Sequence, residues 1–219
     1  MSGASVRMVM APCPGPHPTM PADDPTDVMS KRQLLQFGVH RAKQAGAVAA
    51  RFAAEQMADR FTPRVSRPPG AIPEIEFLLA CTRCSACVKA CPVGAILELD
   101  TRAGLAAGTP FIDANRARPC VACSDAPCMP ACPTGALQVI DIANAVMGFA
   151  ELDRDTCRAW TGTACDKCHR ACPYPDDAIL VDEDGRPFVD PRSCIGCGLC
   201  RAACPTRPKS IEIVPPPRF

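Results

Sequence analysis

Aromatic side chains are scarce in this 219-residue chain: one Trp, one Tyr and eight Phe make 5% of it, too few to build the usual large-residue core. Net charge is nearly absent as well, at +1, which excludes the basic surface of a nucleic-acid binder and a polybasic membrane anchor. No run approaches the roughly 20 apolar residues that span a bilayer, so the chain is expected to be soluble or held by a partner, with no transmembrane segment of its own. Nor is there a nucleophile paired with a base, a phosphate-binding glycine loop or a recognisable pair of carboxylates, and the chain alone is expected not to be an enzyme. What it has instead is 17 cysteines and 25 prolines.

Sixteen of the cysteines fall into four tight groups, leaving Cys13 alone. The groups are Cys81, Cys84, Cys87 and Cys91; Cys120, Cys123, Cys128 and Cys132; Cys157, Cys165, Cys168 and Cys172; and Cys194, Cys197, Cys200 and Cys204. Thiols two residues apart pair poorly with each other, and the total is odd, so a disulfide framework does not explain them. Every group ends in Cys-x3-Cys-Pro. The first and fourth follow C-x2-C-x2-C-x3-C-P, the second widens one gap in "CVACSDAPCMPACP", and the third opens its first gap to seven residues in "CRAWTGTACDKCHRACP".

Such spacing suits a cubic iron–sulfur cluster, which needs thiolates converging from several sides on one compact body. Three thiols on a tight loop reach three corners, and the fourth lies beyond the loop, where in two-cluster ferredoxins it ligates the neighbouring cluster. The following proline fixes the backbone angle, lacks an N–H and turns the chain away. The spacing therefore points to four 4Fe–4S clusters bound by all sixteen cysteines. A four-thiolate zinc scaffold is the rival, but zinc sites usually join two separate C-x2-C pairs. His169 lies inside the third motif, where four thiols already suffice, so it is read as a surface or supporting residue; His17 and His40 are not assigned to a site.

After each motif the chain turns into an alternating apolar stretch: "CPVGAILELD" (91–100), "CPTGALQVID" (132–141), "CPYPDDAILVD" (172–182) and "CPTRPKSIEIV" (204–214). Each predicts a short strand. "AILVDEDGRPFVD" predicts a hairpin turning at Asp184-Gly185. The fold class is thus α+β: two dicluster-ferredoxin-like modules over 64–219, preceded by an N-terminal helix. Residues 1–29 are Pro-rich without periodicity and are expected to be disordered, with Met29 a candidate internal start. Residues 30–63 open with Ser30 and Gln33, a capping-box pair, and run without proline to Pro63, which predicts a helix of about eight turns that packs on its own modules or docks a partner.

From Arg67 onward the chain resembles the NapG/MauM ferredoxin-type proteins. The resemblance rests on "RPPGAI" (67–72), the first motif, "GLAAGTPF" (104–111), the widened second motif, the long-gapped third and the last. It implies four 4Fe–4S clusters that pass electrons, with a redox enzyme's catalytic subunit or an electron carrier as partner, or a membrane quinol-oxidising partner for which this chain is the hydrophilic arm. "SKRQLLQ" (30–36) resembles a twin-arginine export signal with one arginine replaced, followed by His40, Arg41 and Lys43 where an apolar stretch belongs; the cytoplasm is expected, the periplasm being the alternative. The order of motifs is also similar to the four-cluster electron-transfer subunits of the dimethyl sulfoxide reductase group. That similarity implies nested, interleaved modules: Cys81, Cys84, Cys87 with Cys204; Cys194, Cys197, Cys200 with Cys91; Cys120, Cys123, Cys128 with Cys172; and Cys157, Cys165, Cys168 with Cys132. Tandem pairing, first motif with second and third with fourth, is the alternative, and Cys157 depends on how its long gap loops through Trp160.

Overall fold

Proline and acidic residues start the first helix of the computed structural model, which describes residues 62–217. Pro73 precedes helix α1, Glu74–Ala80, and Glu74 and Glu76 in its first turn complement the helix dipole. Three later helices are one turn long and belong to the cysteine motifs: α2, Ala86–Ala90, α3, Lys167–Ala171, and α5, Leu199–Ala203. In each, the motif's third cysteine lies in the helix, and its fourth is the extended residue that ends it. The second motif forms turns instead, because Pro130 between Cys128 and Cys132 has no N–H to give a helix.

Three two-stranded antiparallel sheets surround these helices. Strand β1, Ile96–Glu98, pairs with β2, Pro110–Ile112, setting Ile96 opposite Ile112. Strand β3, Phe149–Leu152, pairs with the C-terminal β6, Ile211–Val214. Strand β4, Ile179–Val181, follows the short helix α4, Pro175–Ala178, and pairs with β5, Pro187–Val189. Gly185 at φ +76° makes the β4–β5 turn, where its N–H donates to the Asp182 carbonyl at 3.0 Å. This is the hairpin that Asp184-Gly185 predicts.

One expected strand is absent. The stretch after the second motif makes a single bridge, Ala71 to Leu137, and then a 3-10 turn at Ile142–Asn144. Its partner is the turn at 67–72, which passes too briefly to build a ladder: Ile72 N–H donates to the Ala136 carbonyl at 3.2 Å, and Gln138 N–H to the Gly70 carbonyl at 2.7 Å. A Cβ at Gly70 would lie 2.1 Å from the Gln138 carbonyl oxygen, so only glycine permits this approach.

Phe77, Met129, Met147, Ile179 and Ile211 are among the largest fully buried side chains, and buried cysteines share their cluster. Arg67 is buried beside them. Its guanidinium forks onto Glu74 at 2.6 and 2.8 Å, donates to Thr109 Oγ1 and the Pro110 carbonyl at 2.8 Å, and lies 4.7 Å from the Phe77 ring centre. Arginine's planar fork satisfies all of these at once. The tail at 1–29, Cys13, His17, His40 and the helix expected over 30–63 lie outside the described residues, apart from Thr62 and Pro63.

Candidate metal centre

Each cysteine loop bends through backbone conformations that L-residues rarely adopt. In the first motif Arg83 and Ser85, flanking Cys84, have φ of +57° and +59°; in the fourth, Gly196 and Gly198 flank Cys197 at +73° and +87°. The same bend thus recurs with and without glycine. In the first loop side chains brace it: Arg83 donates to the Ala107 and Leu105 carbonyls at 2.8 and 3.0 Å, and Ser85 donates to Glu98. These turns let three closely spaced thiols line one cavity.

Three of the fourth thiols line the cavity of the neighbouring motif. Cys81, Cys84 and Cys87 line a cavity with Cys132, from the second motif. Cys120, Cys123 and Cys128 line another with Cys91, from the first. Cys194, Cys197 and Cys200 enclose a third with Cys172, from the third motif. Cys157 and Cys165 are electrostatic neighbours of Cys168, and Cys204 ends α5, which packs on α3.

This arrangement corrects the nested pairing. Cys91 is grouped with Cys120, not Cys194, and Cys132 with Cys81, not Cys157. The reason is local: the chain leaves α2 at Cys91, forms the β1–β2 hairpin and enters the second motif against the first, and the third and fourth motifs meet through α3 and α5. The modules lie in tandem.

The long gap of the third motif is an ordered turn. Thr161 N–H donates to the Cys157 carbonyl at 2.9 Å, and Trp160 Nε1–H donates to the Pro187 carbonyl at 3.1 Å, with its ring edge-on to Phe188 at 5.1 Å. Arg154 lies over the Trp160 ring at 4.5 Å. Anchored on the hairpin, the excursion brings buried Cys157 back to Cys168. His169 Nδ1–H donates to the Ile179 carbonyl at 2.8 Å, a supporting contact.

Burial acts on the thiols. It pushes Cys87 up to about 11, Cys128 to about 12, and Cys168 and Cys197 to about 11, with nearby sulfurs adding to the rise. Cys200 is raised further by the same burial. Such thiols stay protonated at neutral pH unless positive charge faces them, which iron supplies. Two thiols go the other way. Burial raises Cys132 and Cys204 too, but hydrogen bonds from Leu137 and Thr134 outweigh it at Cys132, as those from Thr206 and Ser210 do at Cys204, assisted by the Lys209 charge.

Sulfur also accepts backbone hydrogen bonds: Ala95 N–H to Cys91 at 3.3 Å, Leu137 N–H to Cys132 at 3.5 Å and Ala150 N–H to Cys194 at 3.4 Å. Among the described residues no three His, Cys, Asp or Glu side chains converge tightly enough for a single ion, and no helix is long and apolar enough to cross a membrane. The thiols surround spaces, as a body several atoms wide requires.

The second and fourth thiol groups meet. Cys120 N–H donates to the Cys197 carbonyl at 3.0 Å, and a Cβ on Gly198 would lie 2.5 Å from that of Ala114. Asn115 ties the two modules: its Nδ2–H donates to the Ile213 carbonyl, and its Oδ1 accepts from Ile213 N–H and Arg201 Nε–H, each at 2.8 Å. Neither Asn115 nor Arg67 carries a sequence signal for its role. Thr134 and Thr206 do, since Cys-Pro-Thr occurs after two of the four motifs.

A family model described as a 4Fe-4S dicluster domain matches residues 80–136 and 161–207, one match over the first and second motifs and one over the fourth and the third from Cys165 on, Cys157 lying outside it. The methylamine utilization ferredoxin-type protein MauM of Methylorubrum extorquens is 39% identical over 85% of this chain and 89% of its own length. The ferredoxin-type protein NapG of Escherichia coli is 36% identical over 84% of this chain and 85% of its own. MauM of Paracoccus denitrificans is 42% identical over 69% and 72%. Together with the sixteen cysteines in ferredoxin motifs, these matches support four 4Fe–4S clusters.

Proposed function

This chain belongs to the family of NapG and MauM ferredoxin-type proteins, and from that premise we propose that it relays single electrons through four 4Fe–4S clusters between a donor and a partner redox enzyme. The observation that carries the proposal is the exchange of Cys91 and Cys132, by which each motif of a pair lends its last thiol to the other. Two-cluster ferredoxins use that exchange to hold two clusters close together.

In this reading Cys81, Cys84, Cys87 and Cys132 hold the first cluster, and Cys120, Cys123, Cys128 and Cys91 the second. Cys194, Cys197, Cys200 and Cys172 hold the fourth. Cys204 completes the third with Cys157, Cys165 and Cys168, by the same exchange. A 4Fe–4S cluster supplies a one-electron change spread over its iron atoms, with little rearrangement. The protein holds the thiolates fixed, donates hydrogen bonds to their sulfurs and keeps water from most of them. In this reading electrons travel in the order first, second, fourth, third, which the contact between Cys120 and Cys197 supports. Exposure of Cys84 in the first group supports that end of the relay as the one that meets a partner.

Iron and inorganic sulfide analysis of anaerobically prepared protein tests the reading. About 16 of each per chain is expected for four cubic clusters. Stoichiometric zinc without sulfide contradicts it and leaves a scaffold.

A further inference from the structure

Resting on that four-cluster reading, we propose that the hydroxyl of Thr206 donates a hydrogen bond to the ligand sulfur of Cys204 and raises the reduction potential of the third cluster, and that Thr134 does the same, more weakly, for Cys132 in the first. Thr206 Oγ1 lies 3.1 Å from Cys204 Sγ and Thr134 Oγ1 lies 3.6 Å from Cys132 Sγ. A ligating thiolate has no proton, so the threonine must be the donor in both.

Ser210 braces the Thr206 hydroxyl. Ser210 N–H donates to Thr206 Oγ1 at 2.9 Å, and the Ser210 hydroxyl lies 2.8 Å from the same oxygen. When the Ser210 hydroxyl donates to Thr206, both lone pairs of Thr206 are taken and its single hydrogen is left for sulfur; a negatively charged thiolate, which can only accept, favours that orientation over the reverse. Ser210 is 1% exposed, so water does not compete for that brace. Thr134 has no such brace and is exposed, which makes its bond the weaker of the two.

A hydrogen bond to cluster sulfur favours the more negative, reduced state, and so raises the potential. The device is placed selectively. Cys132 and Cys204 belong to the two end clusters of the relay, whereas the corresponding positions after Cys91 and Cys172, the thiols lent to the inner clusters, hold Val93 and Tyr174, neither with a hydroxyl on Cβ. Each end of the wire thus carries a threonine hydroxyl at its lent thiol, whereas in the middle Cys91 and Cys194 accept from the backbone N–H groups of Ala95 and Ala150.

The test is a redox titration of the anaerobically purified full chain, followed by electron paramagnetic resonance, for the wild type, Thr206→Val and Thr206→Ser. Valine keeps the shape and removes the hydroxyl. It is expected to shift the oxidised-to-reduced ratio of one cluster about tenfold toward oxidised, a fall of about 59 mV in one midpoint, with the other three unmoved. Serine keeps the wild-type midpoint. Thr134→Val shifts a different midpoint by less. Unmoved midpoints in Thr206→Val at full iron content overturn the proposal while leaving the cluster reading intact; iron far below 16 in the wild type defeats that reading instead. Loss of the third cluster in Thr206→Val moves the decision to Ser210→Ala, where only the hydroxyl half of the brace is gone and the backbone N–H remains: a smaller fall of the same midpoint supports the proposal, and an unmoved one overturns it.

Discussion

The backbone N–H of Cys120 donates to the carbonyl oxygen of Cys197 at 3.0 Å, so two residues that each bear a candidate ligand thiol are bonded directly across the boundary between the two modules. Around them the contact is close-packed. Met147 N–H donates to the Ile195 carbonyl at 3.1 Å, and Gly196 lies against Gly148 so tightly that an added Cβ would meet its backbone at 2.5 Å. The second and fourth cysteine groups are joined at this seam.

Glycines at the seam are therefore expected to be less replaceable than glycines elsewhere. Gly196→Ala meets both the Gly148 backbone and a φ of +73°, whereas Gly135→Ala has a similar φ of +72° but open space around it. Alanine at 135 should cost about 1 kcal/mol, and alanine at 196 about 2–3 kcal/mol or more. Denaturant midpoints of the two anaerobic variants decide this; equal losses contradict the packing argument.

Asn115 is expected to be the fastening between modules. Asn115→Leu leaves the Ile213 N–H and carbonyl without their side-chain partner, and Ile213 is buried. A loss of about 1–3 kcal/mol follows from an unsatisfied buried backbone group. An unchanged unfolding midpoint speaks against the role.

Tandem exchange of thiols has a distinct genetic signature. Cys91→Ser should perturb the same resonance signal as Cys120→Ser, and Cys132→Ser the same one as Cys84→Ser. The double variant Cys91→Ser, Cys120→Ser should then affect one cluster rather than two. Coupling of Cys91 with Cys194 instead would restore the nested arrangement.

Sequence patterns exposed the ligand types and the hairpin but not this pairing. The four cysteine groups and the Asp184-Gly185 turn are local, written within a few residues. Which group receives Cys91 depends on the intervening β1–β2 hairpin folding the second motif back onto the first, which the spacing within either motif does not record. The missing strand after Cys132 has the same cause: its alternation resembles that of β1, but only the turn at 67–72 lies beside it. The pairing of β3 with β6 joins residues about 60 apart, and no turn signal announces it.

Holding iron should depend on pH in a defined direction. Burial places Cys87, Cys168 and Cys197 at about 11 and Cys128 at about 12, so the iron-free thiols are protonated at neutral pH and cluster assembly releases those protons. Retention is expected to weaken as pH falls and strengthen as it rises toward those values. Bleaching of the visible absorbance by a chelator, compared at pH 6 and pH 8, checks the sign. Faster bleaching at the higher pH contradicts it.

Arg67→Ala is expected to be among the most damaging changes outside the motifs. Glu74, paired with Arg67 at 2.6 Å and only 12% exposed at its side chain, is left as an uncompensated charge, at a cost of about 3–5 kcal/mol. Arg67→Lys restores the charge but not the fork, and should recover only part of the loss in a denaturant titration.

The central claim is that this chain stores and passes electrons at four places, and a reductive titration under argon tests it most directly. With a low-potential europium(II) chelate as titrant, the account predicts uptake of about four electrons per chain, one for each 4Fe–4S cluster. A colourless protein that binds zinc and takes up no electrons would contradict it.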